Sequence, residues 1–494
     1  MFESAPTEQS GIFGSGFLSF TSAQNREVSL ITKKREAKSS GNCVVFHVML
    51  HRFFRLVSSF SFSRASNNMW FWASASQYAL NLDGLKQAEN KLLQLARQFG
   101  NRAPEDYDIR LLDTHIPHTS VPLSSHSCQL HENLPEGEYL MHGIEVKSRT
   151  ASTQHSSDAP LVMLHGYMNG AAYFYRNLVG LSNYFSSVVA LDMLGWGLSS
   201  RPNFKAIQDD TLRTTEDFFV ESLEAWRHAN KIDRMVLAGH SMGGYLSVAY
   251  CEKYPDRVER LILISPVGVP EESQKVLEER KARIQASLQG RLMYGTFNYL
   301  FGRQTPGDVL RMLPTSRSER MIQEYVRRRL PAIDDEKERV AVSEYLYRSA
   351  VTLPASGEYC INRILTPGIF AKEPALHRIP HLKVPSVGFL YGAQDWMDSN
   401  GGLQVQQAVE AKRSMNQDAP RVDVYQVSKS GHLLMLDNWE EFNAGMITSA
   451  GGIPSDLSRR PVKLEPSKSV PPIAPVYESE SQRTDVSTSV EVAS

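Results

Sequence analysis

Between residues 161 and 427 the chain repeats one pattern: a short apolar run, then a longer stretch whose apolar and polar positions recur at helical spacing. The runs at 161–164, 188–192, 235–238, 261–265, 385–391 and 422–427 read as strands. Strands that alternate with helices in this way predict an α/β fold, a mostly parallel sheet with helices on both faces. The interval between the strands at 261–265 and 385–391 is too long for one crossover helix. Its charged, helix-prone segments at 271–285 and 318–330 predict an inserted helical lid, spanning about 268–380. A further helix is expected over 80–99. Residues 1–69 lack regular periodicity, and 449–494 are rich in Pro, Ser and Val with few large apolar residues, so both read as disordered, the first also as a targeting segment. The expected organisation is therefore 1–69, an aromatic amphipathic arm at 70–100, a catalytic domain at 101–448, and a tail at 449–494.

Chemistry enters where the third apolar run meets Gly239-His240-Ser241-Met242-Gly243, followed by the helix-like stretch 244–254. A strand, a tight Gly-flanked turn and a helix make a nucleophile elbow, in which the strained turn lifts the Ser241 hydroxyl clear of the sheet. A neutral serine is a poor nucleophile and needs a base, and the base needs an acid to hold its tautomer. Among the 14 histidines, His432 lies in the loop after the last strand, where this base belongs. Asp395 and Asp398 both follow the strand at 385–391. Asp395, three residues past Gly392, is favoured, because a carboxylate just off the strand end reaches the imidazole with little loop rearrangement. The alternative for either aspartate is to cap the next helix. The fourth part is an oxyanion hole, expected from the backbone N–H groups of Tyr167 or Met168, after the strand at 161–164, together with that of Met242.

Asp192-Met193-Leu194-Gly195-Trp196-Gly197-Leu198-Ser199-Ser200-Arg201-Pro202 narrows the field. With the elbow, it resembles the α/β-hydrolase family of soluble lysophosphatidic acid acyltransferases, N-acyl-phosphatidylethanolamine lipases and mitochondrial cardiolipin deacylases. Leu353-Pro354-Ala355-Ser356-Gly357-Glu358, Ala371-Lys372-Glu373-Pro374, His432-Leu433-Leu434-Met435-Leu436-Asp437 and Glu441-Phe442-Asn443 extend the likeness over about 70–442. The resemblance implies an α/β-hydrolase fold and a serine-dependent acyl hydrolase or acyltransferase on glycerophospholipids or lysophospholipids, with acyl-CoA entering only as an acyl donor. It implies an acyltransferase reading of the HxxxxD formed by His432 and Asp437. Because His432 is also the triad base, Asp437 is read instead as a carboxylate that satisfies backbone N–H groups at the start of the next helix. Some relatives lack the nucleophile and act only as lipase coactivators. A non-catalytic adaptor at a lipid surface is therefore the second reading, and the intact Ser241, His432 and Asp395 argue against it.

Composition removes other classes. A net charge of −1 and a pI near 6.9 lack the clustered excess of Lys and Arg that nucleic acid requires. The 4 cysteines, Cys43, Cys128, Cys251 and Cys360, have no metal-type spacing and make no disulfide framework, so a reducing compartment, no metal and no cofactor are expected. No apolar run approaches the ~20 residues of a spanning helix. Trp70-Phe71-Trp72 and the helix after them supply aromatics of the kind that anchor peripheral proteins to a membrane or lipid droplet; the alternative is packing on the domain. The lid arginines Arg311, Arg317, Arg320 and Arg327-Arg328-Arg329 suit anionic head groups or, alternatively, a solvated helix face. Residues 37–82 contain no acid but include Lys38, Arg52, Arg55 and Arg64 among serines and apolar residues, as an organelle transit segment does. Mitochondria are the expected location, the cytoplasmic face of the endoplasmic reticulum or lipid droplets the alternative. The presequence would be better formed if translation started at Met49.

Overall fold

The computed structural model describes residues 75–100, 102–125, 128–129, 134–149, 158–207, 211–285, 304–455 and 457–466. Its centre is one sheet of nine strands. In chain order they are β1 (Tyr107–Leu111), β2 (Gly143–Ser148), β3 (Leu161–Leu164), β4 (Val188–Leu191), β5 (Met235–His240), β6 (Val258–Ile264), β7 (Ser386–Gly392), β8 (Arg421–Val427) and β9 (Val462–Leu464). Across the sheet the order is β1-β2-β4-β3-β5-β6-β7-β8-β9. The block from β4 to β8 is parallel, while β1, β2 and β9 pair antiparallel at its two edges.

The parallel strands were legible because helices cover both of their faces. β3, β4, β5 and β7 are buried at every position, which leaves a nearly continuous apolar run in each. The strands missing from the expectation are the three antiparallel ones. β1 buries only its first residue fully, and β9 buries none. Backbone pairing of Val462, Lys463 and Leu464 with β8 holds β9, aided by Lys463 Nζ 3.0 Å from Asp423 Oδ1. The ordered chain therefore runs past the boundary expected at 448.

The helix expected at 80–99 is α1 (Ala75–Ala96), and it does not stand off as an arm. Leu85, Ala88, Leu92 and Ala96 lie on one stripe at helical spacing and are fully buried. Burying each leucine contributes about 1.5–3 kcal/mol. α1 packs on α2 (Tyr175–Leu181) and, across the lid, on α8 (Glu336–Tyr347), where Lys91 Nζ lies 2.6 Å from Glu344 Oε2. Trp70, Phe71 and Trp72 lie outside the described residues.

Between the elements that carry the site run α3 (Leu212–Ala229) and α4 (Met242–Lys253). The insertion between β6 and β7 carries α5 (Gln274–Gln285), α6 (Pro306–Met312), α7 (Thr315–Arg329) and α8. Ile322, Val326 and Leu330 of this lid share one core with Leu178 of α2 and with Leu434 and Leu436 beyond the last parallel strand. Arg311 is not free for a lipid phosphate. Its guanidinium meets the buried Glu358 at 2.7 Å and donates to the carbonyls of Leu353 and Ala350 at 3.0 and 2.9 Å. Arg327 pairs with Glu324 and Arg328 donates from Nε to the Glu324 carbonyl at 3.2 Å, whereas Arg317 and Arg320 are exposed. No described helix is long and apolar enough to cross a membrane.

Candidate active site

β5 delivers Ser241 onto a strained turn. The residue stands at φ 54° and ψ −114°, a conformation that costs a non-glycine residue about 1–3 kcal/mol. The neighbouring backbone maintains it: Ser241 donates its N–H to the Ile264 carbonyl at 2.9 Å, and its own carbonyl accepts from Gly244 and Val267. No side-chain capping bond diverts the Ser241 hydroxyl into the first turn of α4. The flanking glycines are required by space. A Cβ at Gly239 would come 2.3 Å from the Gly243 carbonyl oxygen, and one at Gly243 would come 2.5 Å from that of His165.

His432, five residues past β8, closes on this hydroxyl. Its Nε2 lies 3.1 Å from Ser241 Oγ and its Nδ1 lies 3.1 Å from Asp395 Oδ1. The imidazole side chain is 17% exposed and the Asp395 side chain 0%, so the acid is sealed while the base remains open to a substrate. Burial alone would push the Asp395 carboxyl up, but the imidazole, the Met397 N–H at 3.0 Å and the Ser265 hydroxyl hold it below the usual carboxylate range. Asp398 is spent elsewhere. It accepts the Asn400 N–H at 3.0 Å at the start of the helix Asn400–Ser414, the capping alternative weighed for both aspartates. Ser265, with φ 42°, was not foreseen, because nothing local marks a serine at a strand end as a partner of a residue 130 positions on.

The loop after β3 lies against the elbow. A Cβ at Gly166 would sit 3.1 Å from the Ser241 Cβ, which sets the residue just before Tyr167 and Met168, the latter at φ 59°, against Ser241. His165 shapes this loop. It accepts the Met193 N–H on Nε2 at 3.2 Å, which leaves Nδ1–H to donate to the Gly166 carbonyl at 2.8 Å; burial lowers its pKa to about 4, so it is neutral. Met242 heads α4, where helix N–H groups have no intrahelical acceptor, and its sulfur lies 3.2 Å from Cys360 Sγ. Around the base, the Trp396 ring lies 5.0 Å from that of His432. His240 packs at 4.8 Å and donates Nε2–H to the His432 carbonyl at 2.9 Å; burial lowers its pKa to about 3.

Asp437 departs from the expectation. The backbone N–H that it satisfies belongs to Gly431, immediately before His432, at 2.8 Å, and not to the next helix. The first turn of that helix, Trp439–Ser449, uses a different carboxylate, Glu441, which accepts from Asn438 Nδ2 at 2.8 Å and from the Ser428 N–H at 2.7 Å. Burial pushes the Asp437 carboxyl up to about 6, and its Oδ1 has no hydrogen-bond partner.

Among the described residues, Glu89, His142 and Asp192 bring His and carboxylate atoms within 4.8 Å of one another, as metal ligands do. Both ring nitrogens of His142 already face carboxylates, however: Glu89 at 3.1 Å and Asp113 at 2.5 Å. A doubly donating imidazolium has no lone pair for an ion.

A family model described as alpha/beta hydrolase fold matches residues 159–438. A probable 1-acylglycerol-3-phosphate O-acyltransferase of Oryza sativa subsp. japonica is 31% identical over 303 residues, 60% of this chain and 68% of that protein. The 1-acylglycerol-3-phosphate O-acyltransferase ABHD5 of Rattus norvegicus is 33% identical over 306 residues, 62% of this chain and 80% of that protein. The (lyso)-N-acylphosphatidylethanolamine lipase of Bos taurus is 34% identical over 262 residues, 52% of this chain and 71% of that protein.

Proposed function

The chain belongs to the alpha/beta hydrolase fold family, and from that premise we propose that it is a serine-dependent acyl hydrolase and acyltransferase of glycerophospholipids or lysophospholipids. The observation that carries this reading is the unbroken relay from Ser241 Oγ through His432 to Asp395, each link 3.1 Å. Resemblance to relatives whose names specify lysophosphatidic acid acylation or lyso-phospholipid lipolysis supports the substrate class.

His432 Nε2 takes the Ser241 proton as Oγ bonds to the acyl carbonyl carbon, and the carbonyl π pair moves onto oxygen. The N–H groups of Met242 and of Tyr167 or Met168 meet that oxyanion. Collapse expels the glycerol oxygen, which leaves with the proton held on His432. Water or a lysophospholipid hydroxyl then attacks the acyl-enzyme, gives its proton to His432, and releases Ser241 Oγ to recover it. Asp395 stays ionised throughout and steadies the imidazolium. Acyl-CoA serves as an alternative acyl donor, and no metal or cofactor takes part. The enzyme works at a lipid surface in the mitochondrion, a location supported by the acid-free composition of residues 37–82.

The test is lipid mass spectrometry on a defined phospholipid mixture incubated with the purified protein, with and without lysophosphatidic acid and acyl-CoA. Free fatty acid or acylated lysolipid must form, and Ser241 must react with a fluorophosphonate. An unlabelled serine in folded protein would mark a non-catalytic adaptor.

A further inference from the structure

Behind the loop that carries Tyr167 and Met168 lies a buried knot of ionisable groups that the proposed chemistry leaves unused. Glu89 of α1, His142 and Asp192 are 2%, 3% and 0% exposed. His142, between the strand Glu138–Met141 and β2, holds Glu89 on Nε2 and Asp113 on Nδ1. Burial opposes a charge on this ring, yet the carboxylates raise its pKa well above the ordinary value, so it stands as an imidazolium.

The same residue grips the turn after β4 through its backbone. Its carbonyl accepts the Asp192 N–H at 2.9 Å, and its N–H donates to Ser199 Oγ at 2.9 Å, whose hydroxyl donates to the Asp192 carbonyl at 2.6 Å. The Asp192 carboxylate then accepts two N–H groups, from Ala171 at 2.6 Å and from Leu198 at 2.7 Å. Ala171 closes the loop that begins at Gly166. The fit there is tight, since a Cβ at Gly170 would come 2.8 Å from Asp192 Oδ1 and 2.2 Å from the Tyr345 hydroxyl of α8.

We infer that Glu89 and His142 are positioning residues for the oxyanion loop: Glu89 orients His142, His142 holds Asp192 in place and ionised, and Asp192 pins the loop's far end. An ionised carboxylate accepts N–H bonds about twice as strong as a neutral acid accepts, so the pin weakens once Asp192 is protonated. The inference rests on Ser241 being the nucleophile. It makes α1, which precedes the matched residues 159–438, part of the catalytic unit. Asp192 faces His142, Glu89, Tyr345 and Arg201, while Asp113 faces His142 from the solvent side. Burial pushes Asp192 up to about 6, Glu89 adds to that push, and His142 opposes it. Removing the imidazolium therefore raises the pKa of Asp192 further, and the pin is lost at a higher pH.

The experiment uses the full chain with His142→Gln, Glu89→Gln and, as a control on the same helix, Lys91→Ala. Turnover of p-nitrophenyl butyrate is followed from about pH 5 to about pH 9 alongside thermal melting. His142→Gln is expected to lower kcat roughly 10- to 100-fold at neutral pH, with KM changed less than about twofold, and to move the acid limb to higher pH. Lys91→Ala leaves both unchanged. Glu89→Gln, nearly isosteric, loosens His142 and is expected to lower kcat in the same sense without moving the acid limb to higher pH, since Glu89 itself pushes Asp192 up; it carries the test through kcat should His142→Gln fail to fold. Melting temperatures that fall while kcat and the acid limb stay as in the parent would reduce the knot to a stability element and overturn the inference. Full turnover in Ser241→Ala would instead sink the nucleophile assignment, and the positioning inference with it.

Discussion

A single proton's path distinguishes the residues of the site. Ser241→Ala is expected to abolish fluorophosphonate labelling and ester turnover while melting as the parent does, since the strained turn is maintained by backbone bonds the hydroxyl does not make. Asp395→Asn should cost about 10⁴-fold in kcat, because an amide favours the wrong imidazole tautomer, whereas Asp398→Asn should change kcat less than about twofold. Steady-state kinetics on both variants checks this, and a larger loss at Asp398 would reverse their roles. Asp437 has a pH signature of its own. Its folded pKa, about 6, lies above that of the unfolded chain, so the folded state binds the extra proton. Stability from this group is present below the unfolded carboxylate range and is lost as pH rises through about 6. Asp437→Asn should therefore gain on the parent in melting temperature between about pH 4 and about pH 7. Asp437→Ala, which leaves the Gly431 N–H without its acceptor, should destabilise by about 1–3 kcal/mol and lower hydrolysis and transfer together. Loss of transfer alone would make Asp437 a dedicated acyltransfer residue. The relay residues were legible because each follows a recognisable strand. Ser265, Glu89 and His142 were not, since their partners lie far away in sequence and no spacing rule links them.

At the scale of elements, α1 carries the largest revision. Read as an arm for lipid, it spends its apolar stripe on the protein: Leu85 and Leu92 are fully buried, and Phe99 just beyond packs edge-on against Tyr175 and Trp439. A periodic pattern states that a stripe is covered but not what covers it. Leu92→Ala should cost about 2–5 kcal/mol, measured by denaturant unfolding, a loss too large for a helix lying on a membrane. The lipid attachment proposed for this chain would then rest on Trp70, Phe71 and Trp72. Replacing both tryptophans with alanine should reduce liposome sedimentation severalfold and leave turnover of a soluble short-chain ester within about twofold of the parent. Equal losses in the two assays would mean that these aromatics belong to the folded core.

For the whole molecule, the parallel centre of the sheet was written in its apolar runs, and the antiparallel margins were not, because half-exposed or very short strands are held mainly by backbone pairing. One of those margins matters more than its size suggests. β8 leads straight into the loop that bears His432, and its outer rim of N–H and C=O groups is covered, among the described residues, at Val424, Tyr425 and Gln426 by β9. An uncovered strand rim is a template on which another chain can lay down its own strand. Cutting the chain after Gly452 should thus give a protein that self-associates with time and concentration, visible by light scattering, and that loses activity as it does so. The three residues of β9 would then act as a guard, keeping neighbouring molecules in a crowded solution from zipping onto the strand that leads to His432.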